Sequence, residues 1–282
     1  MTTSATLAPL RLKKNEERRL KAGHLWVYSN EIDIAQTPLK DFEPGATVSI
    51  EDNRGHVLGT GYINPHSLIS ARLISRDPRY VLYQSLLTHR LNIALSLREQ
   101  CFSQPYYRLV HGEGDNLPGL VVDRFNDVLV VQITTAGMER HKQDVIAALE
   151  KVIKPTANPL TIVIRNNSPS RKSEELESYV ETVSGTLPES VIVEENGTRF
   201  EIDVLTGQKT GWFYDHRMNR ARMQQYVNDK RVLDVFSYIG GWGVQAANAG
   251  AKAVVCVDSS QTALEQVQAN AESYLFRLLR DL

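Results

Sequence analysis

Cysteine is scarce: Cys101 and Cys256 are the two in 282 residues. That excludes a disulfide-framed scaffold and fits a reducing compartment. No run reaches the ~18 uncharged apolar residues of a membrane helix. The first nine residues, Met1–Pro9, lack the apolar core of a signal peptide. A cytoplasmic protein with no membrane partner and no metal is expected. An excess of either charge is also missing. Lys and Arg number 32 against 33 Asp and Glu, a formal net charge of −1. Nucleic-acid binding would therefore need a local patch. No internal repeat or low-complexity tract stands out. What is present, 42% hydrophobic and 23% charged residues, is ordinary for a globular chain of two or three domains.

The patterning divides into three regions. The first, residues 10–78, opens with a basic stretch. Positions 11–21 hold Arg11, Lys13, Lys14, Arg18, Arg19 and Lys21 against Glu16 and Glu17. Short strand candidates follow at 47–50, 57–62 and 69–74, with Asn53-Arg54-Gly55 as a hairpin turn, suggesting a β-barrel-like module. The second region, residues 79–194, mixes types. It offers a helix over 81–101, a hairpin of strands 120–122 and 128–133 around Asn126-Asp127, a helix over 138–152, a strand at 160–164 and a polar connection over 165–183. The third, residues 195–282, is introduced by a hairpin turning on Asn196-Gly197. A helix over 216–227, a strand at 231–236, a glycine turn and a helix over 244–249 closed by Gly250 come next. A strand at 253–258 and a last helix capped by Ser259 or Ser260 follow. The expected fold class is α/β with α+β: a β-barrel-like N-terminal domain, a central α+β domain and the start of a Rossmann-like sheet.

The chemistry concentrates in Val232-Leu-Asp-Val-Phe-Ser-Tyr-Ile-Gly-Gly-Trp-Gly243 followed by Asp258. Glycines at a strand-to-helix turn let the backbone approach a ligand and accept positive φ. An acid at the end of the next strand can accept both hydroxyls of a ribose. An adenosine-type cofactor is implied. The glycines at 240, 241 and 243 do not match the dinucleotide spacing, which opposes a nucleotide-dependent oxidoreductase. Asp234 would repel a pyrophosphate. It suits S-adenosylmethionine, which carries a sulfonium and an ammonium. The plainer alternative makes Asp234 a turn-stabilising acid and the glycines a tight bend. Gly207-Gln-Lys-Thr210 lacks the glycines of a phosphate-binding P-loop.

Three stretches carry a resemblance: Leu20-Lys-Ala-Gly-His-Leu-Trp-Val-Tyr-Ser-Asn-Glu31, His111-Gly-Glu-Gly-Asp-Asn-Leu-Pro-Gly-Leu-Val-Val-Asp-Arg-Phe125, and Gly207-Gln-Lys-Thr-Gly-Trp-Phe-Tyr-Asp-His-Arg217 with 232–243. Over residues 10–272 the chain resembles the PUA-domain-containing class I S-adenosylmethionine-dependent methyltransferases of large-subunit ribosomal RNA, whose typical product is C5-methylated cytosine. The resemblance implies a PUA RNA-binding domain over 10–78, a central domain over 79–194 and a methyltransferase domain over 195–282. It places Asp234, Phe236, Ser237, Gly240 and Gly241 at the first cofactor motif, and Asp258 at the ribose acid. Lys209, Thr210 and Phe213 fall in a segment closing over the cofactor. Lys209 is equally readable as a surface lysine, and one of Trp212 and Phe213 as a core aromatic. RNA contact is expected from Lys13, Arg18, Arg19, Lys21 and His24, with Trp26 as core.

The same resemblance implies later motifs, an Asp-Pro-Pro and a nucleophilic cysteine in Ser-Cys-Ser, that do not occur in these 282 residues. The expectation is a C-terminally truncated chain with no catalytic residue, weak or inactive alone, with an incomplete sheet that invites self-association. Cys256, mid-strand in an apolar run, reads as a buried small hydrophobe. The alternative is a non-catalytic RNA-binding protein using the first two regions.

Overall fold

The structure is a computed structural model describing residues 7–280, with side chains up to residue 272. The start at residues 1–6 and the side chains of the tail from Ser273 lie outside the described residues. The chain divides into two compact units, one holding residues up to 103 with 108–186, the other 104–107 with 187 onward.

In the first unit, β1 (Ala8–Arg11), α1 (Glu17–Lys21), β2 (Trp26–Val27), β3 (Ala46–Glu51), β4 (Val57–Ile63) and β5 (Ala71–Ser75) build the N-terminal module. Its sheet order is β1-β3-β4-β5-β2. The β1–β3 pair is parallel and the other pairs are antiparallel. Alternation along the strands turns Val48, Ile50 and Leu73 inward, where they join Leu10, Leu12, Leu20, Val27 and Ile32 in one core. The expected turn is there. Asp52 accepts the N–H groups of Arg54 and His56 at 2.8 and 3.0 Å.

The centre holds α2 (Gln84–Cys101), β6 (Tyr106–His111), β7 (Leu120–Phe125), β8 (Val128–Ile133), α3 (Ala136–Arg140), α4 (Lys142–Val152), β9 (Thr161–Asn166) and β10 (Tyr179–Ser184). Its sheet runs β10-β9-β8-β7-β6. The hairpin around Asn126 is present, and β8 and β9 are parallel, with α3 and α4 between them in the chain. Two expectations are corrected. The helix expected over 138–152 is two helices separated at His141. The polar connection expected over 165–183 is ordered: β10 pairs antiparallel with β9. Asn166 Oδ1 accepts the N–H of Ile133 at 2.7 Å, and buried Arg171 meets Glu139 at 2.8 Å. Part of the polarity there belongs to buried groups that find partners, Asn166 and Arg171 among them.

The barrel-like module and the centre, expected as separate domains, belong to one unit. Tyr62 donates to the carbonyl of Pro118 at 2.8 Å. Glu174, 2% exposed, meets Arg72 at 2.9 Å and accepts from Asn64 at 2.9 Å. A Cβ on Gly137 would fall 2.0 Å from the Tyr62 ring, so only glycine lets α3 lie there.

The second unit begins earlier than expected, because both strands of the Asn196-Gly197 hairpin, β11 (Val191–Glu195) and β12 (Thr198–Ile202), lie in it. Asn196 and Gly197 have φ of 52° and 77°, the left-handed pair of a tight hairpin turn. Next come α5 (Arg217–Met223), β13 (Arg231–Val235), α6 (Gly243–Asn248), β14 (Ala253–Val257) and α7 (Gln261–Arg280). The helix expected over 216–227 is the shorter α5, flanked by 3-10 turns. β13 and β14 run parallel, Asp234 opposite Cys256. Asp234 faces α6. On the other face Leu233 is 65% exposed, and Val235, Val255 and Val257 are also exposed. Among the described residues, no helix is long and apolar enough to cross a membrane.

Candidate functional site

A cleft of about 280 Å³ lies in the second unit where the turn after β13 meets the segment before α5. Phe236, Ser237, Tyr238, Gly241 and Trp242 line it from the turn, and Gln208, Trp212, Phe213, His216 and Arg220 from the other side. Six of these ten residues carry aromatic rings, and Gln208, Arg220 and Ser237 add polar groups, so the walls mix ring surface with polar atoms. Ser237 is 3% exposed and its Oγ has no hydrogen-bond partner. A buried hydroxyl left unpaired costs free energy.

The turn departs from ordinary backbone geometry. Phe236, Tyr238 and Gly240 have φ of 62°, 50° and 83°. Of the three glycines in the motif, Gly240 alone uses the left-handed region. Gly243 is needed for packing instead: a Cβ there would lie 2.4 Å from Cys256 Sγ. Its close approach is to β14. Phe236 combines positive φ with 88% exposure. Both are unfavourable for a phenylalanine, a combination that clusters at functional sites.

The two acids divide their work. Asp234 Oδ2 accepts the N–H of Gly243 at 2.8 Å, so the residue expected to face a cation anchors the start of α6. Burial pushes its carboxyl pKa up, the Gly243 N–H opposes this, and the Asp258 charge adds to the rise. Asp258 accepts from Ser260 N–H with Oδ1 at 2.9 Å and from Tyr238 N–H with Oδ2 at 2.8 Å. Those amides hold its carboxyl below the ordinary range, so it is ionised at neutral pH. Asp258 does not line the cleft; it reaches the turn through the Tyr238 amide.

The segment expected to close over a cofactor also splits. Phe213 lines the cleft and meets Tyr238 edge to face, ring centres 5.6 Å apart. Lys209 Nζ lies 4.2 Å from the Phe213 ring centre and 3.4 Å from Asp215. Lys209, Thr210, which is fully buried, and Gly240, whose Cβ position is taken up by Val244 and Val267, are all outside the lining. Trp212 is the core aromatic of its pair, 2% exposed and 4.6 Å from Phe200, yet it also lines the cleft.

Sequence reasoning missed the support beneath. Glu195, 1% exposed, accepts from Trp212 Nε1 at 2.9 Å, Arg220 Nε and Nη2 at 2.5 and 2.9 Å, and Gln245 Nε2 at 3.0 Å. Arg220 also donates to the Phe213 carbonyl at 2.7 Å. Val191, Val193 and Glu195 are all buried on one phase of β11. A charge on the apolar phase of an alternating strand was the available signal.

The residues expected to meet RNA lie in the first unit on and around α1. Arg18, Lys21, Lys13 and His24 are exposed. Lys13 donates to the Asn30 carbonyl at 2.7 Å. Arg19, its side chain 40% exposed, is held by Glu31 at 2.7 Å and lies over the Tyr28 ring. Trp26 is half-buried and donates to Glu113 at 2.7 Å. Cys101 is exposed at the end of α2, and Cys256 is half-buried, its thiol pushed up to about 11 by burial and by Asp234. Neither lines the cleft.

Comparison with known proteins gives the family. Residues 10–76 match the PUA-like domain, and residues 107–278 the S-adenosylmethionine-dependent methyltransferase family. Ribosomal RNA large subunit methyltransferase I of Aliivibrio fischeri strain MJ11 is 37% identical over 99% of this chain and 68% of its own length. The protein of that name from Tolumonas auensis is 38% identical over 92% of this chain and 65% of its own length. The chain thus spans about two thirds of the length of these relatives. Its fold resembles that of a Streptococcus mutans chain described as a SAM-dependent methyltransferase, with TM-score 0.76 and 22% identity over 94% of this chain and 67% of that one. SMU.776, described as a methyltransferase complexed with SAH, has TM-score 0.78 and 22% identity over 94% of this chain and 66% of that one. The chain belongs to the S-adenosylmethionine-dependent methyltransferases and, among them, to the family of ribosomal RNA large subunit methyltransferase I.

Proposed function

We propose that the chain binds S-adenosylmethionine at the cleft beside β13 and belongs to a reaction that methylates C5 of a cytosine in large-subunit ribosomal RNA, in the cytoplasm. The observation that carries the cofactor placement is Ser237: a buried hydroxyl without a partner, in an aromatic cleft, one residue from the amide that Asp258 holds. The residues fit the group. Asp258, half-buried and ionised, accepts backbone N–H groups of Ser260, Tyr238 and Ser259, and its carboxylate keeps acceptor capacity for a sugar hydroxyl. Trp212, Phe213 and Trp242 offer ring surface to a sulfonium and exclude water. When bound, the cofactor supplies an electrophilic methyl group on sulfur.

Cytosine C5 becomes nucleophilic once a thiolate adds at C6. Cys256, its thiol held near 11, and Cys101, outside the cleft, do not offer that thiolate. The activity of these 282 residues alone is accordingly weak or absent. The PUA-like match and the ribosomal RNA named for the relatives support an RNA partner, met through Lys13, Arg18, Lys21 and His24. Those contacts would be to phosphates, so an unpaired or flipped base would provide selectivity. The open face of Leu233 and Val255 supports self-association of this chain, which sedimentation at rising concentration reads.

The test is calorimetry with S-adenosylhomocysteine, paired with nucleoside mass spectrometry of large-subunit ribosomal RNA incubated with the methyl donor. Saturable binding with little or no new 5-methylcytosine supports the reading. A chain that binds no S-adenosylhomocysteine overturns the cofactor assignment, and a methyl group found on any other atom overturns the C5 assignment.

A further inference from the structure

Tyr238, which lines the cleft, also ties the turn to the segment facing it. Its backbone N–H is held by Asp258 at 2.8 Å. Its hydroxyl accepts the N–H of Gln208 at 3.0 Å and donates to the carbonyl of Gly211 at 3.4 Å. Its ring packs edge to face on Phe213. Residues 205–216, the strap before α5, thus depend on a side chain from the opposite side of the cleft. The approach is close on the strap side: a Cβ on Gly207 would stand 2.4 Å from the Asp203 carbonyl and 2.8 Å from the Tyr238 hydroxyl. Tyr238 holds this position at φ 50°, a conformation that costs a tyrosine free energy and persists where surrounding contacts fix it.

We infer that Tyr238 is a positioning residue that couples the cofactor's sugar to the strap: ligand hydroxyls on Asp258 steady the Tyr238 amide, and the Tyr238 hydroxyl passes that order to Gln208 and Gly211. The inference rests on the cofactor reading of the cleft. The physical route is short and contiguous. Asp258 is charged, so ligand hydroxyls and the Tyr238 N–H share one carboxylate, and the turn moves with it. Phe213, the lining residue carried by the strap, is fixed through the same ring. Occupancy of the cleft and order of the strap then rise together, because each removes part of the entropy cost of the other.

The test uses the full chain and S-adenosylhomocysteine as probe. In the unaltered chain, ligand slows hydrogen exchange of the amides from Gln208 to Phe213. Tyr238→Phe keeps the ring and removes both hydroxyl bonds. It raises the ligand dissociation rate about threefold to tenfold, leaves the association rate within about twofold, and abolishes the ligand-dependent slowing at Gln208. A purely structural role would instead lower the unfolding midpoint and speed exchange in β13 and β14 without this ligand dependence. Unchanged dissociation in Tyr238→Phe, or strap exchange in the unaltered chain that ignores the ligand, overturns the inference while leaving the cofactor reading intact. An unaltered chain that fails to bind the ligand overturns both. Strap exchange in the unaltered chain that ignores the ligand overturns the inference even if the variant folds poorly.

Discussion

The carboxylate of Asp258 and the main-chain N–H of Tyr238 lie 2.8 Å apart, joining the end of β14 to the turn after β13 across 20 residues of sequence. An acid whose pKa is lowered in the fold contributes stability above its unfolded value, and that contribution is lost as pH falls through the lowered value. The turn is therefore held at neutral pH and released in acid. The same charge leaves the acid ready to accept hydroxyl hydrogens.

Asp234 has the opposite sign. Its folded pKa is raised, chiefly by burial, so the fold binds its proton more tightly than the unfolded chain. It weighs against stability increasingly as pH rises from the unfolded value through the raised one, and fully above it. Asp234→Asn keeps an oxygen for the Gly243 N–H and removes the charge. Thermal unfolding should show the variant about 2–4 °C more stable at pH 7 and equal to the parent near pH 3. A variant less stable at pH 7 would show that the charge is net favourable.

Glu195 is a buried acid with four hydrogen bonds beneath the cleft. Glu195→Ala leaves Arg220, 3% exposed, without its carboxylate and unpairs the indole N–H of Trp212. Breaking a buried pair on one side costs about 3–5 kcal/mol. Urea unfolding followed by tryptophan fluorescence measures it, and a cost below about 1 kcal/mol would contradict the assignment of Glu195 as the support of the cleft.

The cysteines separate by reactivity. At pH 8 iodoacetamide should label Cys101, which is exposed, and spare Cys256, whose thiol stays protonated up to about 11. Mass spectrometry of the labelled chain reads this directly. Cys101→Ser combined with Cys256→Ala should leave S-adenosylhomocysteine binding unchanged, and a loss of binding would place a thiol in the cleft.

For RNA, Arg18→Ala and Lys21→Ala should weaken binding to single-stranded segments and reduce the salt slope by roughly 0.7 for each phosphate contact removed. Arg19→Ala should instead act on stability, by at most about 1 kcal/mol, because Arg19 is engaged with Glu31 and Tyr28. Filter binding at several salt concentrations distinguishes the two. An unchanged slope in the Arg18 and Lys21 variants removes them from the interface.

Local signals were legible. Asn196-Gly197 announces its hairpin because that pair favours positive φ, and β13, β14 and Gly250 follow from apolar runs and a helix-ending glycine. Residues whose meaning is a distant partner were not. Arg171 and Asn166 look like loop polarity until Glu139 and Ile133 are placed beside them. Tyr238 gives no sign in sequence of a left-handed backbone or of Gln208 and Gly211. The spacing of Gly243 does not say which neighbour comes close; the neighbour is Cys256. Asp258 could be placed beside the turn because the end of one parallel strand must lie next to the end of its partner.

The most direct test of the cofactor site is calorimetric titration of the chain and of Asp258→Ala with S-adenosylhomocysteine at pH 7. A saturable signal in the parent, weakened at least about tenfold in the variant, is the expected result. No saturable binding in the parent, or equal affinity in the two, would contradict the site.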